Sequence, residues 1–369
     1  MGIVFKAPIR GSAGYPVAAR NLILAFSEIY KDIQIHELGW VTPFYAGLNN
    51  QEIVRLNSLQ KNILKESEST LVHITTGNEF IGRENFKKAF GFTLFETNSL
   101  PKSWVQCCNK MDGIIACSKF NVETFTHAGV KVPIEYVPLG VDTDFFRPNL
   151  PPLENIPKKF TFLSIAQLSA RKGAELVLRA FFETLANKKD TQLILRWYFK
   201  DSSSDEMIRI RDTITNIRKN VGIYHGDVYI ISPVHFSLLN RLYNSVNVLV
   251  SPFRGEAWGL PIIEALSCEV PVIVTGWGGV TDFVKPEFGT LLNYKLVKVP
   301  ENHTGWTQVA HIEGHYWAEP DYNHLKEAML DCYYNYSYYK SKAIKGRIFL
   351  KENFTWKHSA EKLKKVLKV

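Results

Sequence analysis

Between Ser251 and Gly279 the chain reads SPFRGEAWGLPIIEALSCEVPVIVTGWGG, with two glutamates, Glu256 and Glu264, on either side of a Gly-Leu-Pro turn. The apolar run after the turn predicts a helix over 260–267. A helix start leaves the backbone N–H groups around Gly259, Leu260 and Ile262 without intrahelical partners, and the aligned peptide dipoles add partial positive charge there. Gly259 has no Cβ to hold an anion off the main chain, and Pro261 suits a first helical turn, where its missing N–H costs nothing. Glu264, one turn inside, lies on a face from which a carboxylate could accept two hydroxyls of a ribose. Glu256 precedes the turn and faces whatever hangs from the phosphate. Together these residues describe a seat for a nucleoside, a diphosphate and a sugar.

Two fixed cations, Arg171 and Lys172, follow the apolar stretch KFTFLSIAQL. At the carboxyl end of a strand they can neutralise a diphosphate, the guanidinium as a fork and the ammonium as a point charge. Taken alone, such a pair is more often plain surface charge. Near the other end of the chain, RGSAGYPVAARNL sets Gly11 and Gly14 between a strand and a helix, which any tight turn of this kind could require. Glu96 follows a later strand in GFTLFETNSLP, while His73, in LVHIT, reads as a packed core histidine.

The elements that must position these residues are short β-branched runs alternating with longer helical patterns. In the first half the strands are GIVFKAPI, IQIHEL, STLVHIT, GFTLFE and GIIACS, with a helix over 17–29. This rhythm predicts a parallel sheet wrapped by helices, with ligands at its carboxyl edge. Four prolines in RPNLPPLENIPKK, residues 147–159, disfavour helix and central strand and mark a linker. The pattern then restarts, so two doubly wound α/β domains are expected: 1–150, and 151–349 as the donor-binding domain. A terminal helix within about 350–369, capped by Thr355, packs back on the first domain.

At 369 residues and 46% hydrophobic content the chain can bury two cores. Nothing near the start reads as a signal peptide, and no apolar run approaches the roughly 20 residues that span a bilayer. Five cysteines without a Cys-x-x-Cys pair read as free buried thiols. A soluble cytoplasmic protein is the expectation. The net charge of +8 resides from Tyr339 onward, where ten Lys and Arg face two Glu. That segment could touch an anionic membrane or a polyanionic acceptor, or be an ordinary solvated face.

GEAWGLPIIEAL, IAQLSARKGAELVLRAF, VPLGVDTDFFRP and WAEPDYNHL together make the chain resemble the retaining glycosyltransferases of family 4, also called glycosyl transferases group 1. The resemblance runs over nearly the whole chain. It implies the GT-B architecture, two Rossmann-like domains facing across a cleft, with a UDP- or GDP-sugar as donor, a glycan or glycolipid hydroxyl as acceptor, and no metal, cofactor or nucleic acid. By resemblance, Arg171 and Lys172 stabilise the leaving diphosphate, Glu264 binds the ribose, Glu256 contacts the transferred sugar, and Gly259 and Leu260 shape the phosphate seat. Gly14 then faces the donor phosphates and acceptor. Where many family members have a histidine after a first-domain strand, this chain offers Glu96, and that departure bears on the sugar contacts.

Asp142-Thr143-Asp144 spells a metal-binding Asp-x-Asp of another glycosyltransferase architecture but falls where this family has a structural turn. His303, His311 and His315 lack a cysteine or paired acid at zinc spacing, so their aromatic insert, with Trp306, Tyr316 and Trp317, reads as lining a cleft or covering a sheet edge. Two alternatives use similar parts. A sugar-nucleotide epimerase would use the same seat without an acceptor. An NAD-dependent dehydrogenase would use the GSAG turn and Glu37, but the Gly-x-Gly-x-x-Gly spacing is absent.

Overall fold

The computed structural model describes residues 1–39, 44–199, 205–231, 235–300 and 312–369. His303, Trp306 and His311 lie outside them. The chain divides into two compact units: unit 1 is Met1–Asp142 with Glu352–Val369, and unit 2 is Thr143–Lys351. The division falls at Asp142, ahead of the proline-rich stretch, because Phe145 and Phe146 pack in unit 2. Phe145 stacks on Phe236 at 5.8 Å, and Phe146 meets Tyr243 edge-on at 5.9 Å. The linker that follows is tied down there too, with Leu150 N–H donating to Asn244 Oδ1 and Leu153 N–H to Ser245 Oγ.

Unit 1 runs β1 (Ile3–Ala7), α1 (Gly14–Ile29), β2 (Ile33–Glu37), α2 (Asn50–Lys61), β3 (Thr70–Ile74), β4 (Lys88–Thr93), α3 (Lys102–Cys108), β5 (Gly113–Ala116), α4 (Lys119–Ala128) and β6 (Ile134–Tyr136). Its six strands are all parallel in the order β2-β1-β3-β4-β5-β6. Ile3, Val4 and Phe5 are all fully buried, as are Leu71, Val72 and Ile74. Strands covered on both faces read as continuous apolar runs rather than alternating ones.

Unit 2 runs β7 (Phe160–Gln167), α5 (Ala174–Thr184), β8 (Thr191–Tyr198), α6 (Glu206–Val221), β9 (Asp227–Ile230), α7 (Leu239–Tyr243), β10 (Val248–Ser251), α8 (Leu260–Ser267), β11 (Val272–Thr275), β12 (Thr290–Leu292), β13 (Tyr294–Lys298), β14 (Tyr316–Pro320), α9 (Tyr322–Tyr334) and α10 (Tyr336–Asn353). The last two residues of α10, Glu352 and Asn353, carry the chain into unit 1, where α11 (Trp356–Leu367) follows. The main sheet, also parallel, has the order β12-β11-β10-β7-β8-β9. Strand order therefore reverses between β7 and β10. In open α/β sheets the crevice outside the carboxyl ends at such a reversal is where ligands bind.

α11 opens on a capping box: Thr355 Oγ1 accepts from His358 N–H, and the His358 ring accepts from Thr355 N–H. Its apolar Ala360, Leu363 and Leu367 are buried, and the helix packs along α1.

Candidate active site

The β7 and β10 strands release the chain side by side, and both following turns are built on glycine. After β7, Arg171 and Lys172 sit in a short 3₁₀ turn closed by Gly173. Gly173 is left-handed at φ +58°, and a Cβ there would lie 2.1 Å from the Pro252 carbonyl oxygen, so only glycine lets the two turns touch. After β10, Glu256 is pinned from behind: Gly279 N–H donates to its carbonyl at 2.9 Å, and a Cβ on Gly278 would come within 2.5 Å of the same oxygen.

The side chains converge. Lys172 Nζ donates to Glu256 Oε2 in an ion pair whose side chains are only 20% and 15% exposed. Burial pushes the Glu256 carboxyl up, but Lys172, Arg171 and the Trp258 N–H together hold it below its ordinary value. Glu256 is thereby an anion, and Lys172 is held where a diphosphate could exchange for that carboxylate. Arg171 is buried, its Nη1 donating to the Gly255 carbonyl at 2.9 Å, and so it braces the loop that carries Glu256.

At the start of α8, Gly259 is left-handed at φ +94°. Here one expectation is corrected: the Ile262 N–H is not open, because it donates to the Gly259 carbonyl at 2.9 Å in a tight first turn. The N–H groups of Gly259 and Leu260 precede the first N–H that closes the helix ladder, that of Ile262. Ala257 and Trp258 are buried beneath the loop, with Trp258 against Phe283 at 5.1 Å. One turn further, Glu264 is 8% exposed, and Tyr243 Oη donates to its Oε2 at 2.8 Å. Burial pushes the Glu264 carboxyl up to about 7, against the opposing pull of the Tyr243 hydroxyl and Arg196.

Sequence reasoning passed over several supports. Arg254 Nη2 donates to Glu319 Oε1 at 2.9 Å, its Nη1 donates to Glu175 Oε1 at 2.8 Å and to the Ala170 carbonyl, and it lies over the Trp317 ring. This clamp joins both turns to β14, so the described end of the aromatic insert braces the site. The signal was an arginine inside SPFRGE, flanked by the motif that drew attention. His315, in that insert, is buried and its pKa is lowered by burial. Among the described residues no group of three His, Cys, Asp or Glu could hold a metal.

Gly14 and Glu96 belong to unit 1, where a single side chain relates them. Tyr15, next to Gly14 at the start of α1, bonds Thr93 Oγ1 at 3.0 Å and accepts from the Leu94 N–H at 3.2 Å, just ahead of Glu96. A Cβ on Gly14 would meet nothing within 4 Å; the glycine its turn requires is Gly11, at φ +106°. Glu37, the acid of the dehydrogenase alternative, is held by Gln60 at 2.8 Å and by Arg10 at 3.3 Å.

Residues 159–303 match the family model described as glycosyl transferases group 1. Over 132 residues the chain is 27% identical to an uncharacterized glycosyltransferase of Methanocaldococcus jannaschii, covering 36% of this chain and 31% of that one. It is 27% identical over 151 residues to D-inositol 3-phosphate glycosyltransferase 1 of Catenulispora acidiphila, covering 40% and 36%. The chain thus spans about a third of the length of these curated relatives. Sucrose-phosphate synthase from Thermosynechococcus elongatus aligns over 100% of this chain and 98% of its own, with a TM-score of 0.69 at 16% identity. Anabaena HepE in complex with UDP and glucose aligns over 100% and 99%, with a TM-score of 0.69 at 12% identity. The fold is GT-B, and residues 159–303 carry the likeness to the group 1 glycosyl transferases. The matched stretch falls within unit 2 and includes Arg171, Lys172, Glu256 and Glu264.

Proposed function

We propose that this protein is a retaining glycosyltransferase of family 4 that moves a sugar from a UDP- or GDP-sugar to a hydroxyl of a glycan or glycolipid, without a metal. The observation that carries the reading is the meeting of Lys172, Glu256, the α8 start and Glu264 at the carboxyl side of the β7/β10 reversal. The bond from the anomeric carbon to the diphosphate breaks, and the acceptor oxygen bonds that carbon on the same face. The acceptor proton passes to a phosphate oxygen. Lys172 and the Gly259 and Leu260 N–H groups offset the charge gathering on the diphosphate. Glu256, released from Lys172, accepts from the sugar hydroxyls. Gly14 and Glu96 of unit 1 are read as substrate contacts from the family resemblance, and the basic α10 and α11 segments touch anionic lipid.

The test is a panel of UDP- and GDP-sugars, read by thermal stabilisation and slow hydrolysis. At least one donor should raise Tm and be hydrolysed. Lys172→Ala should lower turnover by about 10²-fold, the scale of one lost charge-stabilising donor, and Glu256→Gln should weaken donor affinity. Wild-type protein indifferent to every donor, or variants that bind and hydrolyse them as it does, would remove the reading.

A further inference from the structure

The group that holds Glu264 is not part of any motif read from the sequence. Tyr243 ends α7, 21 positions earlier, and is fully buried with its ring edge-on to Phe146. Its hydroxyl donates to Glu264 Oε2 at 2.8 Å, while no other described side chain donates to that carboxylate. Two further groups face it: Arg196 from β8, and Cys268 just past the end of α8. Cys268 is buried and its thiol is pushed up, so it stays neutral.

We propose that Tyr243 is a positioning residue of the donor site: by fixing one oxygen of Glu264 it fixes the rotamer of the other, so that this oxygen accepts from the vicinal hydroxyls of the donor ribose. The inference rests on the reading of Glu264 as the ribose contact. A carboxylate swinging freely about its side-chain torsions would lose rotational freedom on each binding event, and a buried phenol removes that cost beforehand. The same bond favours the ionised carboxylate, the form that accepts two hydroxyls. Recognition of the diol therefore fades as pH falls through about 7.

The experiment compares binding of uridine diphosphate with its 2′,3′-dideoxy analogue, and the guanosine pair likewise, from pH 5.5 to 8.5 by calorimetry. The ratio of affinities cancels the titration of the diphosphate itself. Wild type should prefer the ribonucleotide above neutrality, and Glu264→Gln should abolish that preference at every pH. Tyr243→Phe, which keeps the ring, should cut the preference and move its midpoint upward by about one pH unit, the tenfold proton affinity one charged hydrogen bond represents. An unchanged preference and midpoint in Tyr243→Phe, with Glu264→Gln still blind to the diol, overturns the positioning role and leaves the ribose contact standing. A wild type without preference, or a Glu264→Gln that retains it, removes the ribose contact itself and the proposal with it. Should Tyr243→Phe not fold, Glu264→Asp puts the same question: its shorter carboxylate cannot keep the phenol and reach the diol, so a retained preference again overturns the role.

Discussion

His73 shows how much one buried side chain can cost. It lies on β3 in a row across one face of the unit 1 sheet, in register with Lys6 on β1 and Gly91 on β4, and its ring is 5.6 Å from Phe80. It is 3% exposed, and neither ring nitrogen has a hydrogen-bond partner. Burial, aided by the nearby Lys6 charge, lowers its pKa to about 4 from an ordinary 6.5. The folded chain thus refuses a proton that the unfolded chain accepts. Stability is intact above 6.5 and declines as pH falls from there to about 4, by up to about 3 kcal/mol. Urea denaturation at pH 7.5 and pH 4.5 should show this loss in wild type and a smaller one in His73→Leu; equal losses would show that His73 takes no part. Glu256 and Glu264 display the opposite lesson. Two carboxylates eight positions apart, Glu264 buried and Glu256 nearly so, are driven to opposite sides of their ordinary value, Glu256 down beside Lys172 and Glu264 up beside a phenol. A sequence shows that both are glutamates, but not which partner each finds.

At the scale of elements, the turn ahead of α8 depends on two glycines that do different work. Gly259 opens the helix start, whereas Gly278, at φ +85°, lets the β11 exit press against the Glu256 carbonyl. Gly278→Ala would need both a backbone region reserved for glycine and movement of a main-chain oxygen, which costs at least about 1–3 kcal/mol. Gly14→Ala is the contrast: its Cβ meets nothing and its φ is not positive, so denaturation should be within about 0.5 kcal/mol of wild type. Should Gly278→Ala unfold like wild type in urea, the pinning of Glu256 is not what that glycine provides. The α8 bounds were legible because Gly-Leu-Pro announces a helix start in residue types alone. The hairpin of β13 and β14, and the α2 helix with its Asn49 and Glu52 capping box, were not assigned from sequence. In the first, β13 is almost wholly exposed and shows little apolar periodicity although β14 buries Trp317, Ala318 and Pro320, and in the second only Leu56 and Leu59 are buried, too few to set a helical period.

For the whole molecule, the two-sheet architecture was readable because strands buried on both faces cannot be disguised: each must be a short, nearly continuous apolar run. The sheet order was not, since it depends on which runs pair. The charge imbalance was also visible in the sequence, and α10 gives it a surface. Ile344 and Ile348 are 40% and 54% exposed one turn apart, with Tyr338 exposed earlier on the same helix and Lys345 and Lys351 exposed among them. An apolar stripe set among lysines suits an anionic bilayer surface. Sedimentation with phosphatidylserine vesicles should capture the protein at low salt, and phosphatidylcholine vesicles should not. Replacing Lys345 and Lys351 with Glu should weaken capture at least about tenfold, and a variant that sediments like wild type would sink the contact.

The α11 helix lies beside α1 although all of unit 2 is threaded between them in sequence. On the ribosome, the amino-terminal body therefore emerges first yet waits for more than two hundred further residues before its closing helix is made. Until translation reaches that helix, the apolar side of α1 that it covers is exposed. A chaperone that grips nascent chains would find its longest opportunity there, and a premature stop between Asp142 and Thr355 would leave that surface open for good.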